Sequence, residues 1–103
     1  MSVLKEFDQK SHVILLDGEF RRSEASESRD VIDPASGDRI AEIAETTAAE
    51  VDAAVEAGHL AQKKWWRMSA LERAEIMHEI ANELLTMKPM LAEALTREMG
   101  KPY

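Results

Sequence analysis

The spacing of apolar residues changes partway along the chain, near residue 46. Before that point the apolar residues come in short runs broken by turn formers, which predicts strands. After it they recur every three or four positions, which predicts helices. In the first part, Val13-Ile14-Leu15-Leu16 is followed by Asp17-Gly18 and then Glu19-Phe20-Arg21. Asp-Gly between apolar runs predicts a hairpin, because both central residues of a type I′ turn need positive φ. Ser23 to Ser28 is small and polar and reads as a loose loop. Asp30-Val31-Ile32 reads as a short strand, Asp33-Pro34-Ala35-Ser36-Gly37-Asp38 as a turn, and Arg39 to Ala44 as the returning strand.

The second part reads as three helices. Thr47 lies three residues before Glu50, a capping-box spacing. From there Val51, Ala54, Val55, Gly58, Ala61 and Trp65 recur at helical intervals. Glu50 and Asp52 near the start and Lys63, Lys64 and Arg67 near the end complement the helix dipole. Ser69 and Glu72 repeat the capping-box spacing ahead of a stripe of Leu71, Ala74, Met77, Ile80, Ala81, Leu84 and Leu85. Pro89 suits the first turn of a third helix, where its missing N–H is no loss. The third stripe is Leu91, Ala94, Leu95 and Met99, with Glu93 and Arg97 at a favourable ion-pair spacing. Gly100 reads as the C-terminal cap and Pro102 as the stop.

The predicted fold class is therefore α+β: two β-hairpins over residues 13–45, then three helices over 46–103, preceded by a flexible tail over 1–12. With 103 residues, such a chain buries only about 60–70% of its unfolded surface. The Gly100-Lys101-Pro102-Tyr103 terminus reads like the start of a connection, so the expectation is an incomplete chain.

Charge and composition narrow the function classes. The formal net charge of -7 and the lack of any basic stripe argue against nucleic-acid binding. The sequence holds no cysteine, which excludes disulfides, thiolate metal sites and a cysteine nucleophile within this chain. Residues 1–12 alternate charge and apolar character, unlike a secretory signal. The run Val13 to Leu16 is far short of the roughly 20 residues that span a bilayer. The expectation is a soluble, cytoplasmic protein with no membrane partner.

No residue pattern points to catalysis. The four glycines stand apart at 18, 37, 58 and 100, so there is no phosphate-binding loop. His12, His59 and His78 are far apart, and a helix-edge histidine is more often a packing or surface residue than a ligand. Glu75, Glu79 and Glu83 follow at i,i+4 and read as a solvated face, or as a surface that meets basic groups elsewhere. Trp65-Trp66 reads as core packing at a helix end, or as an interface with an absent partner; adjacent helical residues point about 100° apart, so the two rings face different ways. The methionines at 68, 77, 87, 90 and 99 read as core filler. The expected catalytic, cofactor-binding and metal-binding residues are none.

The order of these signals resembles the NAD(P)-dependent aldehyde dehydrogenase family. Leu15-Leu16-Asp17-Gly18-Glu19-Phe20 resembles its opening "I-D/N-G-E/K-W/F" hairpin, and Val31-Ile32-Asp33-Pro34-Ala35-Ser36-Gly37 its "I/V-N-P-A-T-G" turn. Val51-Asp52-Ala53-Ala54-Val55-Glu56-Ala57 resembles "V-D-x-A-V-x-A-A". Trp65 or Trp66, then Ser69, Glu72 and Arg73, resemble "W-x-x-x-S-x-x-E-R", and Glu98-Met99-Gly100-Lys101-Pro102 resembles "E-x-G-K-P". Each motif is weak alone; five in order over residues 13–103 are specific. Asp33 stands where asparagine is commoner, Met99 where threonine or serine is usual, and Gly58 replaces an alanine.

The resemblance implies an enzyme that oxidises an aldehyde to an acid through a cysteine thiolate, hydride transfer to NAD or NADP, and a glutamate-activated water. It implies that this chain is an incomplete N-terminal part of the cofactor-binding domain in the α/β fold of that family. The cysteine, glutamate, oxyanion asparagine and cofactor-binding lysine all lie beyond the matched region. The chain alone is therefore expected to bind no cofactor and to be inactive, its partners being the remainder of the enzyme and further copies in a homo-oligomer. Several members hold a monovalent cation partly through a backbone carbonyl before the N-P turn, matching Val31 or Ile32. A non-catalytic helical interaction module derived from the same segment is the alternative.

Overall fold

A computed structural model describes residues 12–103. It has four strands in two separate two-stranded sheets, followed by three helices. The expected tail over 1–12 lies outside the described residues except for His12, whose carbonyl accepts the Ser23 N–H at 2.8 Å.

Strands β1 (Val13–Leu16) and β2 (Glu19–Arg22) pair antiparallel, with Leu16 opposite Glu19. The two-residue turn between them has Asp17 at φ 51° and Gly18 at φ 79°. Both are positive, as a type I′ turn requires, and Asp and Gly reach that region at lowest steric cost. Strands β3 (Ser28–Ile32) and β4 (Arg39–Ala44) form the second hairpin, with a register shift between Val31 and Ile32. The expected loose loop therefore stops sooner than its composition suggested. Ser28 belongs to β3, opposite Ala44, because the pairing of Arg29, Asp30 and Val31 carries the ladder back to it.

Helices α1 (Ala48–Arg67) and α2 (Ala70–Thr86) each begin with a complete capping box. The Thr47 hydroxyl accepts from Glu50 N–H, the Ser69 hydroxyl from Glu72 N–H, and each glutamate returns to the backbone N–H of its cap. Each cap is worth about 1 kcal/mol. Helix α3 (Lys88–Met99) starts without a side-chain cap, has proline in its first turn, and ends at Gly100 in the left-handed region at φ 71°. Met87 ends α2 and starts α3.

The core is very small. Among the described residues Leu16 is the one buried large apolar side chain; the other buried residues are polar: Ser23, Asp33 and Glu50. The helical stripes stay open, with Val55 68%, Leu71 70% and Leu85 67% exposed. The methionine expectation fails at Met77, Met87 and Met99, which are exposed, whereas Met68 and Met90 are half-buried. The accessible surface of 8253 Å² compares with about 5,800 Å² for a compact monomer of this mass.

Candidate functional site

Three features stand out: two buried carboxylates that tie distant segments together, and an apolar groove. The first carboxylate is Glu50, the capping partner of α1. Besides the Thr47 N–H at 2.9 Å, it accepts the Ser23 hydroxyl at 2.8 Å and the Glu24 N–H at 2.7 Å. Ser23 Oγ in turn accepts the Ala25 N–H at 3.1 Å. One carboxylate thus satisfies the start of α1 and the chain leaving β2. The Glu24 N–H, then the Thr47 N–H, hold the Glu50 carboxyl below its ordinary range, and burial works against them.

The second is Asp33, at the head of the β3–β4 turn. Its Oδ1 accepts the N–H groups of Ala35 at 2.8 Å and Ser36 at 3.3 Å, as an aspartate-initiated turn does. Its Oδ2 accepts Arg97 Nε at 2.6 Å, across 64 residues of sequence. The Ala35 N–H first, then Arg97, hold the Asp33 carboxyl below its ordinary range. The recorded ion pair of Arg97 is this one, not one with Glu93 on its own helix. Beside it, a Cβ placed on Gly100 would sit 3.2 Å from Pro34 Cγ, so the turn and the end of α3 approach closely.

A further polar cluster lies on the second hairpin. Arg39 bonds Asp30 at 2.8 Å and Glu42 at 2.9 Å, and Ser28 donates to Glu42. The Ser28 hydroxyl first, then Arg39, lower the Glu42 carboxyl. These groups are exposed, and such pairs contribute little to stability.

An open groove of about 470 Å³ runs between α2 and α3. Ala81, Leu84 and Leu85 form one wall and Leu91, Ala92 and Leu95 the other, with Lys88 at the junction. In the last turn of α1, Trp65 is half-buried and Trp66 is 72% exposed. The guanidinium of Arg73 lies 5.3 Å from the centre of the Trp66 ring, a cation–π distance.

None of this forms a reactive constellation. His12 lies 3.9 Å from Glu42, while His59 and His78 are exposed on α1 and α2. No group of three or more His, Cys, Asp or Glu side chains that could hold a metal ion occurs among the described residues. A helix N-terminus can bind phosphate through its free N–H groups. At α1 and α2 the capping boxes occupy two N–H groups each, those of Thr47 and Glu50 and those of Ser69 and Glu72. Gly18, Gly37 and Gly100 serve hairpin turns and a helix cap.

The sequence could not show that Glu50 reaches Ser23 or that Asp33 reaches Arg97. Its one signal for the second contact is the aspartate standing where the resembled motif has asparagine.

Comparison with known proteins agrees with this framework. The aldehyde dehydrogenase family profile matches residues 20–103. The chain is 37% identical over 102 residues to a 3-sulfolactaldehyde dehydrogenase of Pseudomonas putida, covering 99% of this chain and 21% of that protein. It is 39% identical over 88 residues to a 2-hydroxymuconic semialdehyde dehydrogenase of Pseudomonas sp. (strain CF600), covering 84% of this chain and 18% of the relative. The crystal structure of an NAD-dependent benzaldehyde dehydrogenase from Corynebacterium glutamicum superposes with a TM-score of 0.81 at 30% identity. That match covers 88% of this chain and 20% of the neighbour. The chain thus spans about a fifth of the length of the relatives it matches.

Proposed function

The chain belongs to the aldehyde dehydrogenase family, and from that premise we propose that it supplies the N-terminal framework of an NAD(P)-dependent enzyme that oxidises an aldehyde to a carboxylic acid. In this reading, residues 13–45 and 46–103 are the hairpin and helical regions of an incomplete cofactor-binding domain. The remainder of the enzyme covers the open helical stripes. The whole enzyme is a cytoplasmic homo-oligomer; no helix among the described residues is long and apolar enough to cross a membrane.

One observation carries this reading. The apolar stripes of α1, α2 and α3 are laid out as regular amphipathic faces yet remain open, with Leu71, Leu84 and Leu85 at least half exposed. A helix face of that kind gains its stability by burial against another element.

The residues present do not fit the dinucleotide. The capping boxes take two donors at the start of each of α1 and α2, Gly18, Gly37 and Gly100 occupy turns and a cap, and Gly58 lies inside α1, so no glycine-rich loop faces a helix start. We assign no catalytic step to any residue of this chain and expect the chain alone to be inactive. The cation reading stands on one backbone carbonyl, at Val31 or Ile32.

A chimera tests the proposal. The matching region of the succinate-semialdehyde dehydrogenase of Escherichia coli (strain K12), 34% identical over 88 residues, is replaced by residues 16–103 of this chain. The chimera is expected to fold and to oxidise its aldehyde with NADP, whereas the bare chain shows no NAD- or NADP-linked aldehyde oxidation. A chimera that does not assemble, or turnover by the bare chain, overturns the proposal. The open α2–α3 groove also favours a second reading, a helical interaction module. A soluble, monomeric bare chain together with a dead chimera would support it.

A further inference from the structure

We propose that Asp33, Pro34, Arg97 and Gly100 form a latch that sets the angle of α3, and with it the width of the α2–α3 groove, with Met87 as the hinge. The latch has a fixed half and a swinging half. The fixed half is the β3–β4 turn. Gly37 N–H donates to the Asp33 carbonyl at 2.8 Å, and Asp33 N–H donates to the Asp38 carbonyl at 2.9 Å. Oδ1 of Asp33 is committed to Ala35 and Ser36. The carboxylate cannot rotate without giving up the Ala35 and Ser36 N–H groups, so Oδ2 is presented to Arg97 from a held position.

The swinging half is α3. Its last turn carries Arg97, and its cap, Gly100, lies against Pro34. Its other end is a single residue. Met87 has φ -88° and ψ 0°, in the sparsely populated bridge region, and no side chain caps the helix there. Its N–H reaches back to the Glu83 and Leu85 carbonyls of α2. Hinges are commonly a few residues at element ends that absorb backbone rotation.

The two groove walls meet at this hinge and diverge from it. Ala81, Leu84 and Leu85 stay with α2, whereas Leu91, Ala92 and Leu95 move with α3. The groove's opening therefore follows the angle that the latch holds. The geometry also accounts for aspartate at position 33. An asparagine keeps a carbonyl oxygen for Ala35 and Ser36 but turns an NH₂ group towards Arg97 Nε, placing donor against donor.

The test exploits that difference and the lack of native cysteine. Spin labels are attached to the 103-residue chain through Glu79→Cys on α2 and Glu98→Cys on α3, two exposed positions. The distance distribution is then measured with Asp33→Asn, with Arg97→Gln and with both. The unaltered latch is expected to give one narrow distance. Each single substitution adds a longer, broader population, and the double substitution adds nothing beyond the larger single effect. Amide exchange on the same samples separates local from global opening: α3 exchanges about tenfold faster while α1 keeps its rate. An unchanged distribution, additive effects, equal acceleration in α1 and α3, or a broad distribution before any latch substitution overturns the proposal.

Discussion

The strand half and the helical half of this chain are stabilised in different ways. In the strand half and at its junction with α1, order comes from polar groups: a type I′ turn and an aspartate-initiated turn that close locally, and one carboxylate that accepts three donors, two of them from 26 and 27 residues away. Every buried residue among those described lies there: Leu16, Ser23, Asp33 and Glu50. The helical half has good caps and regular apolar stripes, but beyond Glu50 at its first turn it buries nothing. A polar knot is complete once one acceptor meets a few donors, near or far along the chain. An apolar face needs a second surface, and the described residues do not provide one.

The sharpest way to break that contrast is to remove the one buried apolar side chain. Leu16→Ala is expected to cost about 2–4 kcal/mol in urea denaturation, since it deletes buried methyl groups and leaves a void between β1 and α1. A loss below about 0.5 kcal/mol would mean that Leu16 is no more a core residue than the helical leucines are.

Glu50→Gln comes next. It keeps the shape of the side chain but replaces one of the two acceptor oxygens with a donor, facing Ser23 and Thr47 or Glu24. A fall in Tm on the order of 10 °C at neutral pH is expected. The pH dependence has a definite sign. The Glu50 carboxyl is held below its ordinary 4.5, so its stabilisation is complete above that value. It is lost as pH falls through the lower folded-state value. The glutamine variant should therefore lose less stability than the parent between pH 5 and the acid limit. Parallel pH profiles for the two would show that Glu50 contributes nothing through its charge.

These two sites mark the boundary of what was legible in the sequence. Asp17-Gly18, the Thr47–Glu50 and Ser69–Glu72 boxes and Gly100 were readable because each depends on residues within a few positions of one another. Ser23 looked like a loop residue and is buried, because its partner lies 27 residues away in a helix whose own cap already explained that glutamate. Asp33 read only as a turn residue standing where asparagine is commoner; its partner is Arg97, for which the i,i+4 rule pointed to Glu93 instead. Local grammar specifies elements. It does not say which spare acceptor will meet which distant donor.

Two smaller effects probe the helical half alone. Ser69→Ala removes the acceptor for Glu72 N–H and is expected to cost about 1 kcal/mol. Amide exchange should rise first in the opening turn of α2, and no change there would remove the cap from the account. Arg73→Ala removes the cation over Trp66, a contact worth about 0.5–1 kcal/mol at an exposed ring. Near-ultraviolet circular dichroism and tryptophan emission should both shift. An unaltered spectrum would show that the ring is not held by that guanidinium.

The smallest stability effect separates the two halves most cleanly. Leu85 belongs to a regular helical stripe and is 67% exposed on the groove wall. Leu85→Glu in the bare chain should change the unfolding free energy by less than about 0.5 kcal/mol, because an exposed side chain loses little burial. Binding of an apolar dye should nevertheless fall, since the groove is the surface such a dye finds. In the chimera, if the rest of the enzyme covers the same stripe as proposed, Leu85→Glu places a charge in a buried contact and should abolish folding or activity. One leucine thus reads as surface or core according to what lies over it. Equal tolerance in both settings would mean that the stripe is not an interior face at all, and the proposed framework role would fail with it.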